Sequence, residues 1–178
     1  INTSQILDFN GSNTLTLTGS GAAASRPLIN SGTFTQSTGT VAYTGTSALE
    51  VSNLTSDTIT YNNLSLIPGG TVTHTLGTAI SQTLQVNGTF TIGDGTNAVT
   101  ATAATYNPAL DLRGNLTIAA SAVYTKGSGT TTFKKGSSQT LTDSTTSKQD
   151  LGTVVNAVNT TNTTLSLGSS AKVPTLTI

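Results

Sequence analysis

The feature that most constrains this chain is an apolar residue that returns at a nearly fixed interval. Phe34 in Gly32-Thr33-Phe34-Thr35, Leu64 in Asn62-Asn63-Leu64-Ser65, Phe90 in Gly88-Thr89-Phe90-Thr91 and Leu116 in Gly114-Asn115-Leu116-Thr117 follow one another at separations of 30, 26 and 26 residues. A second series, Val41, Val72 and Val99, runs beside it at 31 and 27. A recurrence of this length marks repeat architectures, in which one supersecondary unit stacks on the next. Within each period the local pattern is that of strands. Asn13-Thr14-Leu15-Thr16-Leu17 alternates polar and apolar, as do Leu84-Gln85-Val86, Phe90-Thr91-Ile92, Leu116-Thr117-Ile118 and Leu176-Thr177-Ile178. Gly, Asn, Ser and Asp separate these runs, as turns require. Leu151, Val154, Val155 and Val158 have helical spacing. However, Gly152, Thr153 and three valines disfavour a helix, so the segment reads as strand.

Three short strands per period read as one coil of a β-solenoid. Each strand then pairs in parallel with its copy one coil away, about 4.8 Å along the axis. The chain is expected to be all-β, a parallel β-helix of about six or seven coils and about 30 Å in length. Phe34, Leu64, Phe90 and Leu116 are expected to form one inward column, and Val41, Val72 and Val99 another. An antiparallel β-sandwich or jelly roll is the alternative, because short-strand patterns alone suit both. The near-constant period and phase favour the solenoid. Residues 1–178 are expected to form a single domain. Residues 28–178 hold the repeats, and 1–27 an N-terminal pairing strand and first coil. Leu76-Gly77 followed by Leu84-Gln85-Val86 is echoed by Leu167-Gly168 followed by Leu176-Thr177-Ile178, where the chain stops. The C-terminus is therefore expected to fall inside a repeat.

Composition excludes several function classes. Charged residues are 8% of the chain, against about 25% in ordinary soluble domains. Cys is absent, so no thiolate metal site and no disulfide can form. The formal charge is zero and no basic cluster occurs, which argues against nucleic-acid binding. Apolar runs are only a few residues long, so no membrane-spanning helix is expected. Regularly spaced Val, Leu and Ile argue against a disordered chain. The chain opens on Ile1-Asn2-Thr3-Ser4, without an initiator Met. Low charge, abundant hydroxyls and no thiol suggest an extracellular or cell-surface location.

Four strings carry a resemblance. They are Asn87-Gly88-Thr89-Phe90-Thr91, Gly39-Thr40-Val41-Ala42-Tyr43-Thr44-Gly45, Tyr61-Asn62-Asn63-Leu64-Ser65-Leu66 and Leu165-Ser166-Leu167-Gly168. They resemble the degenerate β-helix repeats of very large bacterial cell-surface proteins, similar to filamentous-haemagglutinin-like adhesins. The likeness covers most of residues 28–178. It implies adhesion or surface structure, and it brings no catalytic residue with it.

Candidate chemistry is sparse, and neither a catalytic residue nor a metal or cofactor is expected. His74 is the only histidine and shares the parity of Val72 and Leu76, so it reads as structural. The acids are scattered. Stacked coils could bring Asp94 and Asp111 together near Arg113, as a carbohydrate-active enzyme would need, but solvated turns are the simpler reading. Gly93-Asp94-Gly95-Thr96-Asn97 lacks calcium-loop spacing and reads as a turn. Asn-x-Ser/Thr triplets begin at Asn2, Asn10, Asn53, Asn63, Asn87, Asn115, Asn159 and Asn162, which makes these the candidate glycan acceptors. Thr14-Leu15-Thr16 and Thr71-Val72-Thr73 suggest hydroxyl ladders like those that bind ice, but the sequence shows no single fixed grid.

The remaining signals concern assembly. Residues 1–125 carry five acids against Arg26 and Arg113, whereas residues 126–178 carry five lysines against Asp143 and Asp150. Open solenoid ends invite pairing. Ile1, Ile6, Leu7 and Phe9 at one end and Leu176 and Ile178 at the other are the candidate assembly residues. The expectation is a non-enzymatic structural protein, either a rod-like filament subunit or an adhesin stalk, that grows by edge-to-edge strand addition. Its partner is itself, head to tail, or flanking repeats of a longer chain. The alternative is a glycan-binding module that stacks surface sugars on Tyr43, Tyr61, Tyr106 or Tyr124.

Overall fold

A computed structural model describes residues 1–9 and 11–178. Every strand pair in it is parallel, which rules out the antiparallel sandwich. The chain winds as a β-solenoid of about seven coils and visits three faces in a fixed order. The first face has seven strands, Thr14–Leu17, Thr40–Tyr43, Asn63–Leu66, Phe90–Ile92, Leu116–Ile118, Ser138–Asp143 and Thr164–Leu167. The second has four, Leu49–Val51, Val72–Leu76, Val99–Thr102 and Ala122–Thr125, and bridges at Gly21 and between Asp150 and Lys172 extend it. The third has a six-stranded sheet, Thr60–Tyr61, Thr83–Val86, Ala109–Leu112, Thr131–Phe133, Thr153–Asn156 and Thr175–Thr177. The pair Ile6–Asp8 and Thr33–Thr35 precedes it. That pair belongs to the same face. The Asn30 side-chain amide donates to the Asp57 carbonyl, and the Asn62 backbone N–H donates to Gln36 Oε1, each across one coil.

Inward residues stack as columns. On the first face Leu15, Val41, Leu64, Phe90, Leu116, Leu141 and Leu167 are successive partners. On the third, Leu84, Leu110, Thr131, Val154 and Leu176 follow one another. Two expected columns are corrected. Phe34 does not stack with Leu64; it pairs with Leu7 on the third face, and Val41 takes its place beneath Leu64. Val72 and Val99 do pair, but on the second face, where Val41 is absent. The cause is that strands on every face share the same in–out alternation, so one local string serves any of them. Gly-Thr-Phe-Thr at 32–35 lies on the third face, and the same string at 88–91 on the first.

The segment with helical spacing is a strand, Thr153–Asn156, as expected. A single helical turn, Leu54–Asp57, was not expected. Asn53 caps it by accepting from the Thr55 and Ser56 backbone N–H groups, and Thr58, at φ 54, ends it in the left-handed region.

Coil corners demand small residues. A Cβ at Gly114 would clash with the Gly88 carbonyl oxygen, one coil away. The three atoms nearest to it are all Gly88 backbone, so no flexible side chain there can give way. Gly114→Ala is therefore expected to lose about 3 kcal/mol. The urea midpoint should fall while the slope of the transition stays unchanged.

Candidate functional site: the coil ends and the hydroxyl face

At the C-terminal end, Thr164–Leu167 and Thr175–Thr177 form the last rung, and among the described residues no strand pairs with their outer edges. Below them lies an open hollow of about 290 Å³ lined by apolar groups, among them Leu141, Val154, Leu165, Ala171 and Val173. Leu167 and Leu176 face inward by register yet are 61% and 53% exposed, because among the described residues no strand stacks on them. Ile178 is 92% exposed. At the other end Ile6 is 71% exposed, on the outward side of its strand, while Leu7 is half-buried against Phe34. The Phe9 ring tilts against Phe34 at 5.6 Å, and Ile1 is half-buried, its carbonyl accepting from the Ser31 N–H. All six candidate assembly residues thus lie at the two ends, with Ile6 turned away from the interior.

The rest of the candidate chemistry is scattered, and only His74 lies in the interior. His74 is fully buried on the second face, in register between Leu49 and Ala101, and neither ring nitrogen has a hydrogen-bond partner. Burial holds its pKa down at about 4, against an ordinary 6.5. Asp94 caps an exposed turn between the first and second faces. The Asn97 and Thr96 backbone N–H groups hold its carboxyl below the usual range. Asp111 lies on the third face beside Arg113, at 3.0 Å. Stacking therefore does not join Asp94 to Asp111. Among the described residues no three His, Asp or Glu side chains come together as metal ligands.

Three of the four expected sugar platforms, Tyr43, Tyr61 and Tyr124, are buried, and for them that expectation is corrected; Tyr106 is half-buried. Tyr43 and Tyr61 are fully buried, and the Tyr61 hydroxyl donates to the Ser52 carbonyl. Tyr124 is 7% exposed, and burial pushes its pKa up to about 12. Tyr106 donates its hydroxyl to Glu50, which also accepts from the Ala23 N–H. Of the candidate glycan acceptors, Asn53 is fully buried, with its amide committed to the helix cap and to Gln82. That removes it as an acceptor. Asn63 is half-buried and spends its whole amide on neighbouring coils. Asn2, Asn87, Asn115, Asn159 and Asn162 are exposed, and Asn10 lies outside the described residues.

Two features were not legible in the sequence. Buried polar side chains tie coil to coil at the corners. Gln36 donates to the Gly39 and Asn63 carbonyls, and Gln139 donates to those of Leu112 and Gly114. The Arg26–Asp57 ion pair spans one coil in the same way. Second, the first face presents an uncharged outward surface of mostly hydroxyl and some amide groups, whereas Thr14-Leu15-Thr16, Thr33-Phe34-Thr35 and Val72-Thr73 lie on three different faces and share no single grid, as the sequence reading held. On the first face Thr14, Thr40, Asn63, Thr89, Asn115, Thr140 and Ser166 point outward in one column. Thr16, Ser65, Thr91, Thr117 and Thr142 lie in the next, which is interrupted by the buried Ala42. None of these positions is charged. In comparisons with known proteins, no family model, no curated protein and no solved structure matches this chain.

Proposed function

We propose that this chain is a non-enzymatic structural segment of an extracellular rod, of the kind found in cell-surface filaments and adhesin stalks. The observation that carries the reading is the uncovered apolar hollow beneath the last rung. Leu167 and Leu176 hold inward positions that a further coil would bury, at about 25 cal/mol per Å² of apolar surface. A strand added there pairs with unpaired backbone and closes the hollow in one step. The added coil comes from a second copy or from chain that continues the solenoid. The likeness of the repeats to those of filamentous-haemagglutinin-like adhesins supports the same role. Negative-stain imaging of the purified chain over a range of concentrations tests it. Short rods of about 5 Å per coil that lengthen with concentration are expected. A monodisperse particle that does not lengthen at millimolar concentration would remove self-assembly.

A glycan-binding module is the second reading, and the uncharged hydroxyl face is what favours it. Thr is stiff at its first side-chain torsion, so the array is pre-organised. Binding would then be to a planar, insoluble polysaccharide, detected by co-sedimentation, and lost when Thr91 and Thr117 are replaced by lysine.

A further inference from the structure

The outward side of the second face carries an ordered array of hydroxyls above a buried carboxylate. Thr73 and Thr75 on Val72–Leu76 are in register with Thr100 and Thr102 on Val99–Thr102, and these with Val123 and Thr125 on Ala122–Thr125. Two columns result, about 6.6 Å apart along the strand and repeating about every 4.8 Å from coil to coil. Of the five threonines only Thr102 spends its side-chain oxygen on the protein, accepting from the Ala104 N–H. Among the described residues the hydroxyls of Thr73, Thr75, Thr100 and Thr125 have no partner. Glu50 continues the Thr75 column one coil further. It is 7% exposed and, with Thr75, lines a hollow of about 170 Å³ whose other walls include Ala22, Ala48 and Leu49. Its carboxylate accepts from the Tyr106 hydroxyl and the Ala23 N–H, which leaves about half of its lone-pair sites open. Among the described residues no Lys or Arg forms an ion pair with it.

We propose that this face binds an extended β-1,4-linked glycan, one ring per coil, with a hydroxyl or amino group of the lowest ring donating to Glu50 in the hollow. It is a different surface from the first-face array, so the two readings stand or fall separately. The hollow is smaller than the roughly 300–1,000 Å³ of pockets that enclose a whole small molecule. It therefore takes one ring, and the rest of the ligand lies along the columns. Each ring advances such a chain by close to one rung, so equivalent hydroxyls meet Thr75, Thr102 and Thr125 in turn. The threonine methyls and the exposed Val123 meet the apolar C–H groups of the rings. Thr73, Thr75, Thr100 and Thr102 sit on strands paired at both edges, and threonine is stiff at its first side-chain torsion. Little freedom is then lost on binding. Charge sets the ligand class. Above Glu50 the array is neutral and offers nothing to an acidic glycan or a phosphate, while the uncompensated carboxylate repels both.

Titration calorimetry with soluble hexasaccharides tests the proposal. Cellohexaose and its amino counterpart, the chitosan hexamer, are expected to bind saturably. Maltohexaose, whose α-linkages curl a chain of the same sugar, is expected not to. The two β-linked arms identify the donor. Tighter binding of the amino sugar, with the advantage lost in Glu50→Gln, assigns an ammonium to Glu50, and equal binding assigns a hydroxyl. Thr75→Val and Thr100→Val keep the shape of the side chain and lose only the hydroxyl, so each is expected to weaken binding about fivefold. Glu50→Gln is expected to weaken it about tenfold, with circular dichroism checking that the variant is folded. Thr91→Lys, on the first face, should leave the affinity unchanged. Absence of saturable binding by either β-linked hexamer, equal binding of maltohexaose, or unchanged affinity in both valine variants would overturn the proposal. Loss of binding with Thr91→Lys would overturn it too, and would favour the first-face reading instead.

Discussion

Phe90→Ala is expected to cost about 3–5 kcal/mol, the range for emptying an aromatic site that cannot collapse. Phe90 is fully buried and lies in register between Leu64 below and Leu116 above, at the middle of the longest inward column. Its ladder neighbours are held by main-chain hydrogen bonds on both sides, so the coils cannot close on the void. The loss should also be local. In a solenoid each coil touches only its neighbours, and stability is a sum over coils and their contacts. Hydrogen exchange should therefore speed up first in the coils that hold Leu64 and Leu116, and reach the terminal coils last. Thr91→Ala, one position away on the outward side, is the control and should stay within about 0.5 kcal/mol. A loss below about 1 kcal/mol at Phe90 would mean that the column is not what holds the coils together.

His74→Leu is expected to stabilise the protein and to remove its sensitivity to mild acid. The imidazole is buried with both nitrogens unsatisfied, at a cost of about 1–3 kcal/mol for the missing partners. Its register neighbours Leu49 and Ala101 are uncharged, and the nearest ring, Tyr43, meets it edge-on with centroids 6.5 Å apart. Nothing there stabilises a proton, so the folded pKa is about 4 while the unfolded chain titrates near 6.5. Between those values the unfolded state binds a proton that the folded state does not. Stability therefore falls as pH drops from 6.5 to about 4, by about 3 kcal/mol, and levels off below. The carboxyls of Asp94 and Asp150 are held below their usual range, so their losses come at lower pH and do not blur this window. Thermal melts from pH 7 to pH 4 check the sign. A parent chain with a flat profile, or a leucine variant with the parent's slope, would contradict the account.

The period of this fold was readable because stacking forces like side chains into register, and Leu64, Phe90 and Leu116 do lie one over another. Leu84 and Leu176 also share a column, as their echo suggested. Phase was harder. Leu76 and Leu167, the other half of that echo, sit on different faces, because the in–out alternation carries no label for the face it belongs to. Parity alone would have placed Tyr43 inside, two residues after Val41 on one strand. Its polar hydroxyl suggested the surface instead. The corner glutamines were unreadable for a different reason. Gln36, Gln82 and Gln139 are buried by coils that lie about one period away in sequence, and no local pattern encodes that.

The corner ties have a mechanical consequence. Pulled along its length, such a rod loads many short hydrogen bonds at once on three sides, with Gln36, Gln139 and the Arg26–Asp57 pair sharing the tension between consecutive turns. Turns would let go one at a time, each paying out about 26 residues, or roughly 90 Å of slack. A force–extension trace would then be a staircase of small even steps, so that the molecule would work as a shock absorber as well as a spacer.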